Sequence, residues 1–285
     1  MTRAPFEYHI EFCLHNVEEV AEALRGIAQH GASFEQCKIF IFYFTPLSDK
    51  PGRRHRITSL TKHALCDWVT LLQNISHHPV PITHLIPHAS HFYAATDASK
   101  DGMGGFGFPT ILTNDAPPTA WRYKWTESIP ARLISTDNPQ GDITINEFEL
   151  AAMVTGQSVL LHRHPPQQCT TTAIATDNTA AEAWVQSGST SIDNAAPYLL
   201  RLLAHKCRLY NSSLQPLFTP GSTNTIADLL SHSFHLSDAE LLRKLNSAFP
   251  TKLPWTLATP PAYIISEVNW ALSKKTPPKA YHLGV

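Results

Sequence analysis

The sequence predicts an α/β fold built around a mixed five-stranded sheet flanked by helices. Across residues 92–235, short stretches rich in β-branched and small side chains alternate with longer stretches that have apolar residues at helical spacing. Two of the predicted strands end in an aspartate, at Asp97 and Asp177. The dipeptide Asp101-Gly102 favours a tight turn between the first two strands. Such an order of strands and helices is typical of a sheet with helices packed on its faces.

The predicted elements of this region follow the order β-β-β-α-β-α-α-β-α. The strands are 92–98, 104–108, 120–125, 171–176 and 214–219, and the helices are 147–161, 179–186, a long one from Asp193 to Tyr210, and 223–233. We expect Asn146 to cap the first of these helices, because asparagine is a favoured N-cap residue.

The rest of the 285-residue chain divides into three flanking regions. Residues 1–56 are predicted to be a small α/β segment of unknown role that ends in a polar loop. Residues 57–91 are predicted to combine a helix with a proline-bearing connector. This segment resembles a thumb or connection segment. Residues 236–285 are predicted to be an irregular C-terminal extension with short helical stretches.

Composition limits the environments in which the chain can work. The longest apolar run, 39–44, is too short to span a bilayer, which takes about 20 residues, so we expect no membrane partner. The five cysteines are widely spaced without a CxxC pair, which favours a reducing compartment, the cytoplasm or the nucleus. Sixteen histidines are present, but pairs such as His232 and His235 lack the further ligands of a zinc site.

Four acidic side chains occupy positions that the predicted fold would bring together. Asp97 and Asp177 end strands, so we expect both at the same open edge of the sheet. Glu149 and Asp228 lie within predicted helices among apolar neighbours, where a carboxylate is costly unless it is paired or binds metal. Each acid alone has an ordinary explanation as a turn former or a partner of a helix dipole. The interpretation of the four acids as one functional site therefore depends on their joint placement.

Convergence of these acids predicts a site for two divalent metal ions. Converging carboxylates raise each other's pKa and cannot all remain ionised without cations. Oxygen ligands suit Mg²⁺, with Mn²⁺ as a substitute, and two such ions can activate a water and stabilise the leaving oxygen of a phosphodiester. The expected cofactor is therefore a pair of Mg²⁺ ions.

The four acids lie in short motifs that resemble those of retroelement ribonuclease H domains, most closely those of tyrosine-recombinase-type retrotransposons. In the second motif the family's ligand is the glutamate before leucine, which is Glu149 rather than Glu147. In the fourth motif His232 stands where arginine is usual. The motifs, in order, are TDAS at 96–99 followed by glycines at 102, 104 and 105, NEFELA at 146–151, TDNTAA at 176–181, and PG..N..AD.LS at 220–231.

The resemblance implies hydrolysis of the RNA strand of an RNA–DNA hybrid. Asp97 and Asp177 would bridge or hold the ion that activates water, Glu149 would hold the ion near the scissile phosphate, and Asp228 would complete the first ion's shell. No polymerase motif is present, so the polymerase portion of a reverse transcriptase would be encoded elsewhere.

Substrate contacts are predicted from residues near the acids and from basic side chains. Twelve acidic and eight basic residues in 92–235 give a net charge of −4, so hybrid binding should depend on metal and on salt. Ser99 and Asn178 could contact the RNA 2′-hydroxyl, although Asn178 also suits a helix cap. Arg201 and Arg208 could contact phosphates, although a solvated helix face would look the same.

Two other functions remain open from the sequence. An integrase or transposase can share this fold, but those enzymes place a glutamate on a late helix, where this chain has Asp228. A degenerate, non-catalytic copy could retain the fold and bind nucleic acid or protein without cleaving. Retention of all four acids argues against decay of the site. A metal-independent scaffold such as a connection domain would normally lack the acids.

Overall fold

The computed structural model describes residues 89–110, 116–165, 170–190 and 194–274. All of them belong to one compact unit, His88–Val285. The predictions for residues 1–56, for the helix and connector before residue 89, and for the tail after 274 lie outside the described residues. No helix within the described ranges is long and apolar enough to cross a bilayer.

A six-stranded mixed sheet forms the centre of the fold, with strand order β5-β4-β1-β2-β3-β6. Strands β1, β2 and β3 form an antiparallel meander, while β4 pairs in parallel with β1, β5 with β4, and β6 with β3. The expected mixed sheet is confirmed, and one strand is added to the five predicted. The strands are β1 Phe92–Ala98, β2 Gly102–Pro109, β3 Thr119–Lys124, β4 Thr170–Thr176, β5 Ser212–Phe218 and β6 Thr256–Ala258.

Six α-helices flank the sheet in the described residues. The first, α1, is buried along nearly its whole length because it packs on β1 and β2 on one side and on other helices on the other. The helices are α1 Ile145–Arg163, α2 Thr179–Ser187, α3 Ala196–Leu209, α4 Thr225–His232, α5 Asp238–Ala248 and α6 Ala262–Leu272.

Helix α1 begins earlier than predicted. Its N-cap is Thr144 rather than Asn146, so the predicted cap was wrong. The Thr144 backbone N–H donates to Glu147 Oε2 at 2.7 Å, which satisfies a donor at the start of the helix. Glutamate three residues after a threonine is the signature of a capping box, and it outweighs the preference of asparagine for the same role.

The C-terminal extension is more regular than predicted. The short helical stretches expected there form α5 and α6, and the strand β6, which was not predicted, lies parallel to β3 at the edge of the sheet. Side chains from α5 and the following loop bury a cluster with the sheet and α4. The buried members of that cluster are Ala120, Leu230, Leu241, Leu245 and Trp255. The extension therefore shares a core with the preceding domain as far as residue 274.

Close helix–sheet contacts depend on two glycines. A Cβ atom on Gly104 of β2 would lie 2.6 Å from the backbone of Leu230 in α4. A Cβ atom on Gly156 of α1 would lie 2.9 Å from the Thr96 side chain of β1. Both distances are shorter than ordinary carbon contacts, so any larger residue would push α4 or α1 away from the sheet.

A buried ion pair joins the extension to the main helical layer. Lys206 Nζ of α3 lies 2.5 Å from Glu267 Oε2 of α6, and the two side chains are 2% and 4% exposed. The ammonium also lies 5.0 Å from the ring centre of Tyr263. Removal of one member would leave the other charge buried without its partner.

We predict that Glu267→Ala lowers the free energy of unfolding by about 3–5 kcal/mol, because it strands the Lys206 ammonium. Asp142→Ala is the control, since it breaks the exposed Arg132–Asp142 pair, and it should cost about 1 kcal/mol or less. Urea denaturation of each variant measures both values. If both variants lost the same free energy of unfolding, the claim that breaking the buried pair costs more than breaking an exposed pair would be wrong.

Candidate metal centre

Three acids from three separate elements meet at one edge of the sheet. Asp97 is the penultimate residue of β1, Asp177 follows β4, and Glu149 is the fifth residue of α1. Strands β1 and β4 run in parallel with Ala95 opposite Ala175, so both lead their aspartates to the same edge. One carboxylate oxygen from each acid lies within 4.8 Å of the others.

Glu149 is the most deeply placed of the three, with 4% of its surface exposed. Its Oε1 accepts a hydrogen bond from the Ala98 backbone N–H at 3.2 Å, and its Oε2 accepts one from Thr176 Oγ1 at 3.5 Å. Burial raises the pKa of the Glu149 carboxyl well above its usual range, and the charges of Asp97 and Asp177 raise it further. The two hydrogen bonds oppose this rise without cancelling it.

Asp97 is also buried, at 7% exposure, and is held by a hydroxyl from α4. Ser231 Oγ donates a hydrogen bond to Asp97 Oδ2. Ser99 Oγ donates in turn to the Ser231 carbonyl at 2.8 Å, which ties α4 to the turn after β1. Burial raises the pKa of Asp97, and the Ser231 hydrogen bond lowers it by less.

The neighbouring Glu147 faces away from this cluster. It is fully buried, and its Oε1 accepts a hydrogen bond of 2.5 Å from the Ala195 backbone N–H just before α3. Its Oε2 accepts from Thr144 at the start of α1. Glu147 therefore joins the beginnings of two helices, while Glu149 joins the acids at the sheet edge.

Asp177 is half-buried and lies against the loop before α4. A Cβ atom on Gly221 would lie 2.7 Å from Asp177 Oδ2, so glycine lets this loop pass beside the carboxylate. The next residue, Asn178, caps α2 by accepting a hydrogen bond from the Ala181 N–H at 2.9 Å.

Asp228 belongs to a second group that contains Asp97 and His232. His232 Nε2 lies 3.6 Å from Asp228 Oδ1, and both side chains are mostly exposed. Potential ligand atoms of these three residues also lie within 4.8 Å of one another. Asp97 is thus shared by both groups. The resemblance implies that Asp97 and Asp177 bridge or hold the first ion and that Asp228 completes its shell, and this assignment of ligands to ions stays a prediction.

His232 is the residue that sequence reasoning missed. Pairs of histidines alone predict no zinc site, and the motif resemblance marks His232 only as a departure from the usual arginine. The available signal was its spacing from Asp228, because residues four apart on a helix share a face. Asp97 and Asp228 lie beside His232, so a group of three potential ligands forms without a second histidine.

The four residues predicted to contact substrate are either hydrogen-bonded within the protein or half-buried. Besides its bond to Ser231, the Ser99 hydroxyl accepts from the backbone N–H groups of the turn after β1. The Asn178 amide caps α2 and donates to Asn146 Oδ1 at 2.8 Å. Arg201 and Arg208 lie half-buried on α3. Substrate binding by these four residues stays a prediction.

The donor set fits a hard divalent cation. The first group offers carboxylate oxygens alone, which are the ligands that Mg²⁺ prefers. None of the ion pairs among the described residues links a lysine or arginine to Asp97, Glu149 or Asp177. A bound divalent ion would therefore supply the positive charge that favours the ionised forms of the two buried carboxylates, Asp97 and Glu149.

Comparisons with known proteins add little to this geometry. No protein-family model matches the chain, and no curated protein matches it. Among solved structures, the chain is similar to an N-terminal RNase H domain from Mycobacterium tuberculosis, solved as a fusion protein with maltose-binding protein. The identity is 12%, the match covers 56% of this chain and 99% of that one, and the TM-score is 0.32.

We predict that the metal-free protein loses stability as pH rises from about 4.5, the ordinary value for a glutamate, because the pKa of Glu149 is raised in the folded state. A raised pKa means that the folded protein holds a proton that the unfolded chain has released, so unfolding becomes easier with rising pH. Glu149→Gln should weaken this pH dependence and raise the melting temperature at neutral pH.

Melting curves in EDTA between about pH 4.5, the ordinary pKa of a glutamate, and neutral pH test the prediction. Glu127→Gln, at an exposed position, is the control. Added Mg²⁺ should raise the melting temperature of the wild type more than that of Glu149→Gln. A Glu149→Gln profile that matches both the wild type and the control would contradict the account.

Proposed function

We propose that this protein is a divalent-metal-dependent nuclease that hydrolyses the RNA strand of RNA–DNA hybrids. The observation that carries the proposal is the meeting of Asp97, Glu149 and Asp177 within 4.8 Å, from β1, α1 and the end of β4. Two of these acids are buried, and the described residues provide no lysine or arginine partner for any of the three.

Asp97, Glu149 and Asp177 would hold one ion, and Asp97 and Asp228 would hold a second. Ions held there would supply Lewis acidity to activate a water and would neutralise the charge on a scissile phosphate. Ser231 fixes the orientation of Asp97, and the Ala98 N–H does the same for Glu149. The half-buried Asp177 and the exposed Asp228 lie at the solvent side, where a phosphodiester can approach.

The choice of substrate and setting rests on sequence motifs. The stretches around the four acids resemble those of retroelement RNase H domains, which favours an RNA–DNA hybrid over other nucleic acids. We infer that the chain acts as part of a retrotransposon reverse transcriptase polyprotein, with the polymerase portion encoded elsewhere, in the cytoplasm or nucleus. The net negative charge of 92–235 implies that hybrid binding depends on metal and weakens with salt.

The test is cleavage of a hybrid that carries a label on its RNA strand, in Mg²⁺ and separately in Mn²⁺. We expect cleavage of the RNA strand that EDTA abolishes. Asp97→Asn and Asp177→Asn should each lower the rate roughly 10³-fold or more, since a lost metal site removes several kcal/mol of transition-state stabilisation.

Asp137→Asn, at an exposed position outside the cluster, is the matched control and should leave the rate unchanged. Circular dichroism verifies that each variant is folded. Absence of cleavage by folded wild-type protein in both metals would refute the nuclease and favour a non-catalytic domain. Cutting of both strands of duplex DNA in preference to the hybrid would favour an integrase-like activity.

A further inference from the structure

The last turn of α4 places the imidazole of His232 beside the acids. His232 is not one of the predicted metal ligands. His232 lies one helical turn after Asp228, and its Nε2 is 3.6 Å from Asp228 Oδ1. A potential ligand atom of His232 also lies within 4.8 Å of a carboxylate oxygen of Asp97. His232 therefore lies beside both carboxylates of this group, Asp228 on its own helix and Asp97 on β1.

The three donors differ in how firmly they are held. Asp97 is buried and hydrogen-bonded to Ser231, so its carboxylate has a defined position. Asp228 and His232 are 64% and 54% exposed, so their side chains can adjust to an ion bound at Asp97. A fixed carboxylate combined with two adjustable ligands on one helix face suits a site that closes around a cation.

We propose that His232 is a direct ligand of the second divalent ion, together with Asp97 and Asp228, and that it gives this position a preference for transition-metal ions over Mg²⁺. Imidazole nitrogen binds ions such as Co²⁺ and Ni²⁺ well, whereas Mg²⁺ prefers oxygen ligands. The other group, which shares Asp97, has oxygen donors only. The two positions therefore differ in ligand chemistry. This inference deepens the proposed function and rests on it only because it concerns the same acids.

The test measures metal binding and needs no substrate. Full-length wild type, His232→Ala and His235→Ala are titrated with Co²⁺ and with Mg²⁺ by calorimetry, and His235 is the control because it is exposed and outside both groups. We expect His232→Ala to weaken one Co²⁺ site roughly tenfold or more. Mg²⁺ affinity should change by less than about threefold, because Mg²⁺ gains little from imidazole. His235→Ala should match the wild type in both titrations.

A second variant identifies the site that is lost. Asp228→Asn should weaken the same Co²⁺ site, and combining it with His232→Ala should remove no further site, because both residues bind one ion. Co²⁺ titrations of His232→Ala that match the wild type and His235→Ala would overturn the proposal. Loss of Co²⁺ and Mg²⁺ affinity in equal measure would also overturn it, since the preference would then not come from the imidazole.

These outcomes separate the ligand assignment from the nuclease proposal. If the wild type binds Co²⁺ through His232 but does not cleave the hybrid, the nuclease proposal fails and the ligand assignment stands. If His232→Ala binds Co²⁺ as the wild type does while hybrid cleavage persists, the assignment fails and the nuclease proposal stands.

Discussion

The burial of two neighbouring carboxylates, Asp97 and Glu149, is the constraint on which the surrounding structure depends. Ionised acids in a dry environment are costly unless donors or cations compensate them. The protein supplies part of that compensation from the ends of its own elements, through the Ala98 N–H, Thr176 Oγ1 and Ser231 Oγ. The raised pKa values of both acids indicate that this compensation is incomplete. A divalent cation would complete it.

The position of α4 links this constraint to the C-terminal extension. Helix α4 carries Ser231, Asp228 and His232, and its Leu230 packs in the cluster that includes Trp255. Arg122 of β3 donates to the Ser233 carbonyl at 2.6 Å, and it also donates to the Leu236 carbonyl and pairs with Asp238 at the start of α5. The extension thus packs against α4 and helps to fix the position of the helix that carries Asp228, Ser231 and His232.

Much of the fold follows from local sequence pattern. The strand 92–98 is predicted with the bounds that the structure has, because aromatic, small and β-branched residues lead up to the turn at Asp101-Gly102. Strand β6 could not be predicted in the same way. It is three residues long in a proline-bearing stretch, and it exists because β3 offers an unpaired edge beside it. Pairing of that kind depends on distant residues and leaves no periodic signal.

Placement of the acids was predictable in part. Strand ends predict that Asp97 and Asp177 meet, and the motif resemblance selected Glu149, which lies beside them. The capping-box spacing of Thr144 and Glu147 is a local signal that assigns Glu147 to the start of α1. The contact of Glu147 with the Ala195 N–H has no such signal, because Ala195 lies far along the chain. The sequence alone does not place His232 beside Asp97, because that contact joins α4 to the distant strand β1.

The most direct test of the central claim is anomalous diffraction from crystals of the protein soaked in Mn²⁺. The account predicts an anomalous peak bound by Asp97, Glu149 and Asp177, which vanishes in crystals of Glu149→Gln. Occupied Mn²⁺ sites elsewhere on the ordered chain, with no peak among these three carboxylates, would contradict it.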